Sequence, residues 1–176
     1  MINNRTSIIR NRSVVSDDWG VLRLDEGDTP EGVSVPEGRV IVPLKVWQAQ
    51  RERLQARAEL GVWLDSAERA EALADDLKRF AVIAVNFPKF ADGRGYTLAY
   101  RLRVRLGYRG ELRAIGDVLR DQLFYMQRVG FDAFETRADK DIHEAVKGLS
   151  DFSVCYQTSS DEAQPLFRRV QRGEAA

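Results

Sequence analysis

The chain has one cysteine, Cys155, and one histidine, His143, so it is nearly empty of the two residue types that do most metal and nucleophile chemistry. A lone cysteine excludes an internal disulfide and any multi-cysteine zinc or iron–sulfur cage within one chain. Ser–His–Asp and Cys–His constellations also lack convincing members. His143 reads as a surface or packing residue on a helix, Cys155 as a half-buried apolar residue, and no metal site is expected. Excess charge is missing too: Lys and Arg number 27, as do Asp and Glu, which argues against a general nucleic-acid or anionic-membrane surface. No run approaches the ~18 apolar residues of a membrane span, and the polar first residues do not resemble a signal peptide, so a cytoplasmic protein is expected. Gly-x-Gly-x-x-Gly and Gly-Lys-Ser/Thr loops are absent as well. A tightly held NAD, FAD or ATP is therefore unsupported, and the chain is read as having no cofactor of its own.

What is present is a repeated pattern of short apolar runs and amphipathic stripes. Residues 1–38 read as an irregular N-terminal arm, with one short strand at Trp19–Leu24 and then an acidic stretch broken by Pro30, Pro36 and glycines. From Arg39 regularity sets in. Val40–Val42, Val62–Leu64, Val82–Val85, Leu112–Ile115 and Phe131–Glu135 are strand candidates. Each precedes a helix candidate: Leu44–Glu59; the stretch after Asp65 with the stripe Ala70, Leu73, Ala74 and Leu77; the stripe Leu98, Ala99, Leu102 and Leu106; Val118–Val129 capped by Asp117; and a last helix capped by Asp139. Strand-then-helix units of roughly 20–30 residues call for right-handed crossovers and a mostly parallel sheet. The fold class is α/β over residues 39–149, as an open three-layer sheet or a half-barrel that closes only against another half. Residues 150–176 read as a C-terminal extension with one strand at Phe152–Tyr156. Such a tail is of the kind that wraps a second subunit, so a homodimer is one expectation.

Ligands of parallel sheets bind beyond the strand C-termini, on the strand-to-helix loops. The two richest loops, Asn86–Tyr96 and Gly116–Gln122, follow adjacent strands and are expected to open on one edge. In the first, Lys89 and Arg94 with the backbone N–H groups around Gly93 and Gly95 form a candidate anion seat, to which Arg120 adds a second charge. An arginine in the first turn of a helix opposes the helix dipole, so a nearby acid or bound anion is expected there. Asp92 and Asp121 are the candidate general bases. Tyr96, Gln122 and Tyr125 supply neutral donors.

The segments Asn86–Tyr96, Gly107–Phe124 and Gly130–Glu135 resemble a bacterial family of uncharacterised function whose members are labelled as oxidoreductases of sulfite reduction and are encoded beside sulfite reductase. The resemblance spans about Val40 to Leu149 and is strongest from Phe87 to Glu135. It implies an accessory protein of assimilatory sulfite or sulfate reduction, binding a small oxyanion or the reductase itself. The family offers no catalytic residues to carry over. Many of its members have a cysteine before the glycine of the last segment, where this chain has Val129. Two alternatives stand beside this reading: an enzyme acting on a phosphorylated or sulfated metabolite with an aspartate base, and a non-catalytic docking protein.

Overall fold

The computed structural model describes residues 2–4 and 6–169. In chain order the strands are β1 Ile2–Asn4, β2 Ser7–Arg10, β3 Ser13–Ser16, β4 Gly20–Leu22, β5 Val40–Pro43, β6 Leu60–Leu64, β7 Val82–Phe87, β8 Glu111–Gly116 and β9 Ala133–Phe134. The helices are α1 Leu44–Ala49, α2 Arg51–Leu54, α3 Arg94–Tyr100, α4 Arg120–Val129, α5 Ile142–Ala145 and α6 Leu166–Arg169. α3 runs on into a π-helical turn at Arg101–Arg105.

Strands β4 to β9 pair in sequence order, every neighbouring pair parallel. Because each crossover is taken in the same direction, all the helices fall on one face of the sheet. Strand alternation then sorts the side chains. Val62, Leu64, Ile83, Val85, Phe87, Leu112, Ala114 and Phe134 share a core with Trp47, Leu73, Leu98, Leu102, Leu123, Met126 and Leu149 of the helical layer. Residues of the opposite parity, Val21, Ile41, Val82, Ala84 and Ile115, form a second cluster with Trp19 and Trp63. This is the half-barrel arrangement, and the three-layer alternative falls away because among the described residues no helix contributes to the second cluster.

That second face is nevertheless buried, and the N-terminal residues explain why. They were expected to be irregular, yet they build a long antiparallel hairpin. Ser7 to Arg10 pair with Ser16 to Ser13, Ile2 to Asn4 pair with Leu22 to Gly20, and Asp17 N–H donates to Thr6 O between the two ladders. The pairing shifts by one residue between them, as at a β-bulge, which bends and twists the ribbon. β2 pairs with β9 on one side of the gap and β4 pairs with β5 on the other, so the hairpin is the seam that closes the half-barrel. A second chain is not needed for closure. The hairpin turn at Asn11 and Arg12 has φ of 48° and 66°, the left-handed pair that a two-residue turn requires.

Inside the barrel lies a charged pair. Arg113 of β8 is 0% exposed and donates Nη1 and Nη2 to the Asp17 carboxylate at 2.7 and 3.0 Å and Nε to Glu111 at 2.7 Å. Glu111 in turn accepts Arg10 Nε at 2.6 Å. Burial disfavours the Arg113 charge, and the two carboxylates outweigh it, raising its pKa. β9 contributes only small Ala133 beside Arg113 in the register, which leaves room for the guanidinium.

Several elements differ from the sequence expectation. The Leu44–Glu59 helix breaks at Gln50, whose side-chain amide donates to the carbonyls of Pro30, Glu31 and Val33 and holds the 25–38 loop against the helix. The helix after Asp65 is reduced to two 3-10 turns, Ala70–Leu73 and Leu77–Arg79. Between them buried Asp76 accepts Trp47 Nε1 and Arg51 Nη2. Ala70, Leu73 and Leu77 are buried as the stripe required, while Ala74 is exposed. α4 starts at Arg120 rather than Val118, and α5 is capped by Asp141, which accepts His143 N–H, rather than by Asp139. Phe152–Tyr156 forms no strand. Of the C-terminal extension, residues 170–176 lie outside the described residues.

Arg113→Ala is expected to lower stability in urea unfolding by about 3–5 kcal/mol, because it strands the buried Asp17 carboxylate. The double variant Arg113→Met with Asp17→Leu is expected to recover most of that loss, since it removes both charges together.

Candidate functional site

The C-terminal ends of β4 to β9 form the barrel mouth, the end at which β/α barrels carry their sites. There the Trp63 side chain reaches from β6 past β5 to β4, donating Nε1 to Leu22 O at 2.9 Å. The Arg23 guanidinium lies 5.3 Å from the Trp63 ring and donates to Asn86 Oδ1 at 3.2 Å; Asn86 Nδ2 reaches Asp65 Oδ2 at 3.3 Å. Glu135 and Thr136 are buried where the chain leaves β9. The sequence reading placed Asp65 only as a helix cap and missed Arg23, Trp63 and Asn86 as partners, because their meeting depends on the hairpin seam bringing β4 beside the parallel strands.

Outside the mouth, the connections after β7 and β8 converge as the sequence predicted. Asp117 N–H donates to Phe87 O at 2.7 Å, the Asp117 carboxylate accepts Phe90 N–H at 2.8 Å, and Gln122 Nε2 donates to Phe90 O at 3.2 Å. Asp117 therefore ties the two loops together instead of capping α4. Leu119 takes the cap position, and Gln122 folds back to accept its N–H at 3.0 Å. Gly116 permits the tie: its φ is +95°, and a Cβ there would lie 2.4 Å from Phe87 O.

The predicted ligand-binding residues separate into three groups. Tyr96, Gln122 and Tyr125 do come together: the two tyrosine rings are 5.2 Å apart, and burial raises the Tyr96 pKa, with the Gln122 hydrogen bond opposing and the Asp121 charge reinforcing the shift. The arginines, by contrast, are already engaged. Arg94 donates Nε and Nη2 to Asp92 at 2.9 and 2.6 Å, and Arg120 donates to Asp151 at 2.7 Å, which is the nearby acid that its place at the helix start called for. Lys89 and Asp121 are exposed, and Lys89 has no ion pair among the described residues. The glycines serve packing: Gly95 is buried with its Cα so near Phe87 that a Cβ would lie 2.6 Å from the ring, while Gly93 stands open at the N-cap of α3.

Asp92 is also the acceptor of Ser66 Oγ at 2.7 Å, joining the loop to the end of β6. The Arg94 and Ser66 hydrogen bonds hold its carboxyl well below the usual range. Such a carboxylate is a strong anchor and a weak proton acceptor. Among the described residues no group of three or more His, Cys, Asp or Glu side chains is placed to hold a metal ion, and no helix is long and apolar enough to cross a membrane.

A family model described as a bacterial protein of unknown function (DUF934) matches residues 61–167, more than half of the chain. That span takes in both converging loops and leaves the closing hairpin outside. No curated protein and no solved structure matches.

Because the folded pKa of Asp92 is depressed, its ion pair stabilises the protein fully above the ordinary carboxyl value of 3.8 and is lost as pH falls toward the lower folded value. The melting temperature of Asp92→Asn is thus expected to lie below that of the parent by a constant margin from about pH 5 upward, and to converge on it in acid.

Proposed function

We propose that this chain, which belongs to the DUF934 family of bacterial proteins of unknown function, is an accessory protein of assimilatory sulfite or sulfate reduction that binds sulfite reductase through its strand-to-helix loops. The pathway comes from the resemblance of Asn86–Tyr96, Gly107–Phe124 and Gly130–Glu135 to proteins labelled for sulfite reduction. One observation favours a protein partner over a small anion. Arg94 and Arg120 are engaged in ion pairs with Asp92 and Asp151, whereas Phe90 on the first loop and Tyr125 on α4 are 47% and 57% exposed. An oxyanion at either arginine would share a guanidinium whose charge a carboxylate already offsets. The aromatic rings meet a partner without rearrangement, and such residues supply much of the binding energy at protein interfaces.

Two other readings keep one residue each. Lys89, exposed and without an ion pair among the described residues, supports a seat for a small oxyanion. Asp121, exposed in the first turn of α4, is the aspartate left for a base acting on a phosphorylated or sulfated metabolite, since Asp92 is committed to Arg94. An oxidoreductase role would draw its cofactor from the partner, because the chain has no nucleotide-cofactor loop.

The purified protein is expected to co-elute with sulfite reductase at micromolar concentration, and Phe90→Ala is expected to weaken the complex by about tenfold. Failure to co-elute overturns the docking reading. If sulfite or sulfate then raises the melting temperature of the parent but not of Lys89→Ala, the oxyanion reading takes its place.

A further inference from the structure

The π-helical turn at Arg101–Arg105 widens the helix where it passes α4, and Leu106 N–H closes it on Arg101 O at 2.9 Å. Such turns recur at functional sites. Between the two helices runs a shallow groove of about 320 Å³, whose walls are Tyr96, Tyr100, Tyr125, Arg101 and Arg105, with Ser159 of the C-terminal segment at one side. It begins beside the first of the loops proposed for partner binding, since Tyr96 ends that loop and lines the groove.

The charge of this groove is one-sided in a chain whose total is zero. It is lined by two arginines and no acid. Arg101 shares its charge with Glu71 at 3.0 Å, whereas Arg105 is exposed with no ion pair among the described residues. Tyr100 and Tyr125 in its walls are 38% and 57% exposed. Tyrosine and arginine are the residues that concentrate binding energy at protein contacts, and a bare arginine beside aromatic rings is complemented by a carboxylate next to an apolar side chain. A nucleic-acid strand also favours aromatics and arginine, but it needs a cationic track that follows several phosphates, and two arginines in so short a groove do not make one.

We propose that the α3–α4 groove is the seat for an acidic segment of a protein partner, with a carboxylate on Arg105 and an apolar side chain between Tyr100 and Tyr125. This rests on the docking reading above and adds the chemistry that the partner must present.

The test uses the full chain and two fluorescent peptides, one alternating glutamate and leucine and one alternating lysine and leucine, together with sulfite reductase. The glutamate peptide is expected to bind more weakly as salt rises. Arg105→Glu, at an exposed position whose fold is checked by circular dichroism, is expected to weaken it about tenfold or more, and Tyr100→Ala by a similar factor. Equal binding of both peptides, unchanged binding by Arg105→Glu, or displacement of the glutamate peptide by oligouridine overturns the proposal. The two readings fail separately. If Phe90→Ala weakens the reductase complex while Arg105→Glu does not, the groove assignment falls and docking stands. If the glutamate peptide binds as expected and the reductase does not, the partner's identity falls and the acidic chemistry stands.

Discussion

The Arg113–Asp17 pair is the contact on which the architecture turns. It joins a strand of the parallel half-barrel to the bulge of the N-terminal hairpin, from opposite sides of the interior, with both side chains at most 1% exposed. Two charges so placed are tolerated only while they face each other, because each alone would keep the full cost of leaving water. The pair thus fixes register as well as closure. A hairpin slipped by one residue would turn Asp17 to the other face and leave Arg113 without its acid. Glu111 and Arg10 extend the pair toward the barrel end and leave the four charges balanced.

Closure has a consequence at the other end of the barrel. With β4 held beside β5, Arg23 stacks on Trp63 and reaches Asn86, and Asn86 reaches Asp65. A polar network of the chain's own side chains thus stands at the mouth. Farther out, Asp117 locks the loops after β7 and β8 together through Phe90 and Phe87. A rigid, aromatic outer rim suits a macromolecular contact, because its side chains lose little freedom on binding.

The parallel units were legible because each strand is a short apolar run that ends at a turn, and because neighbouring strands in sequence are neighbours in space. The convergence of the two loops followed from that order alone. The hairpin was not legible. Ile2–Asn4 and Ser13–Ser16 are short and lack an apolar alternation; each pairs within the hairpin, and the hairpin is placed in the sheet by partners such as Phe134, 125 residues beyond Ile9. The 3-10 turns in place of a helix after Asp65 have the same kind of cause, since the Asp76 side chain is drawn inward by Trp47 and Arg51 of another element. At the candidate site the ion pairs of the arginines were not legible. Arg94 and Asp92 are two residues apart, and a turn that lets an arginine fold back on its own loop looks in sequence like one that offers it to a ligand.

That last ambiguity bears on how cationic loops are interpreted. An arginine-rich chain with zero net charge has enough carboxylates to occupy most of its guanidinium groups, and here Arg10, Arg39, Arg51, Arg94, Arg103, Arg113, Arg120 and Arg137 are all in ion pairs. Most of these pairs hold one element to another: α2 to the turn before β7, the β8–α4 connection to the segment after β9, the hairpin to β8. Arginine in this protein is chiefly a fastener, which suits a fold whose helices are short and cannot be held by long apolar stripes. Among the described residues Lys89 on the rim and Arg105 in the groove form no ion pair, as Lys45, Lys78 and Arg109 do not, and what sets the first two apart is the exposed rings beside them, Phe90 next to Lys89 and Tyr100 and Tyr125 in the groove of Arg105.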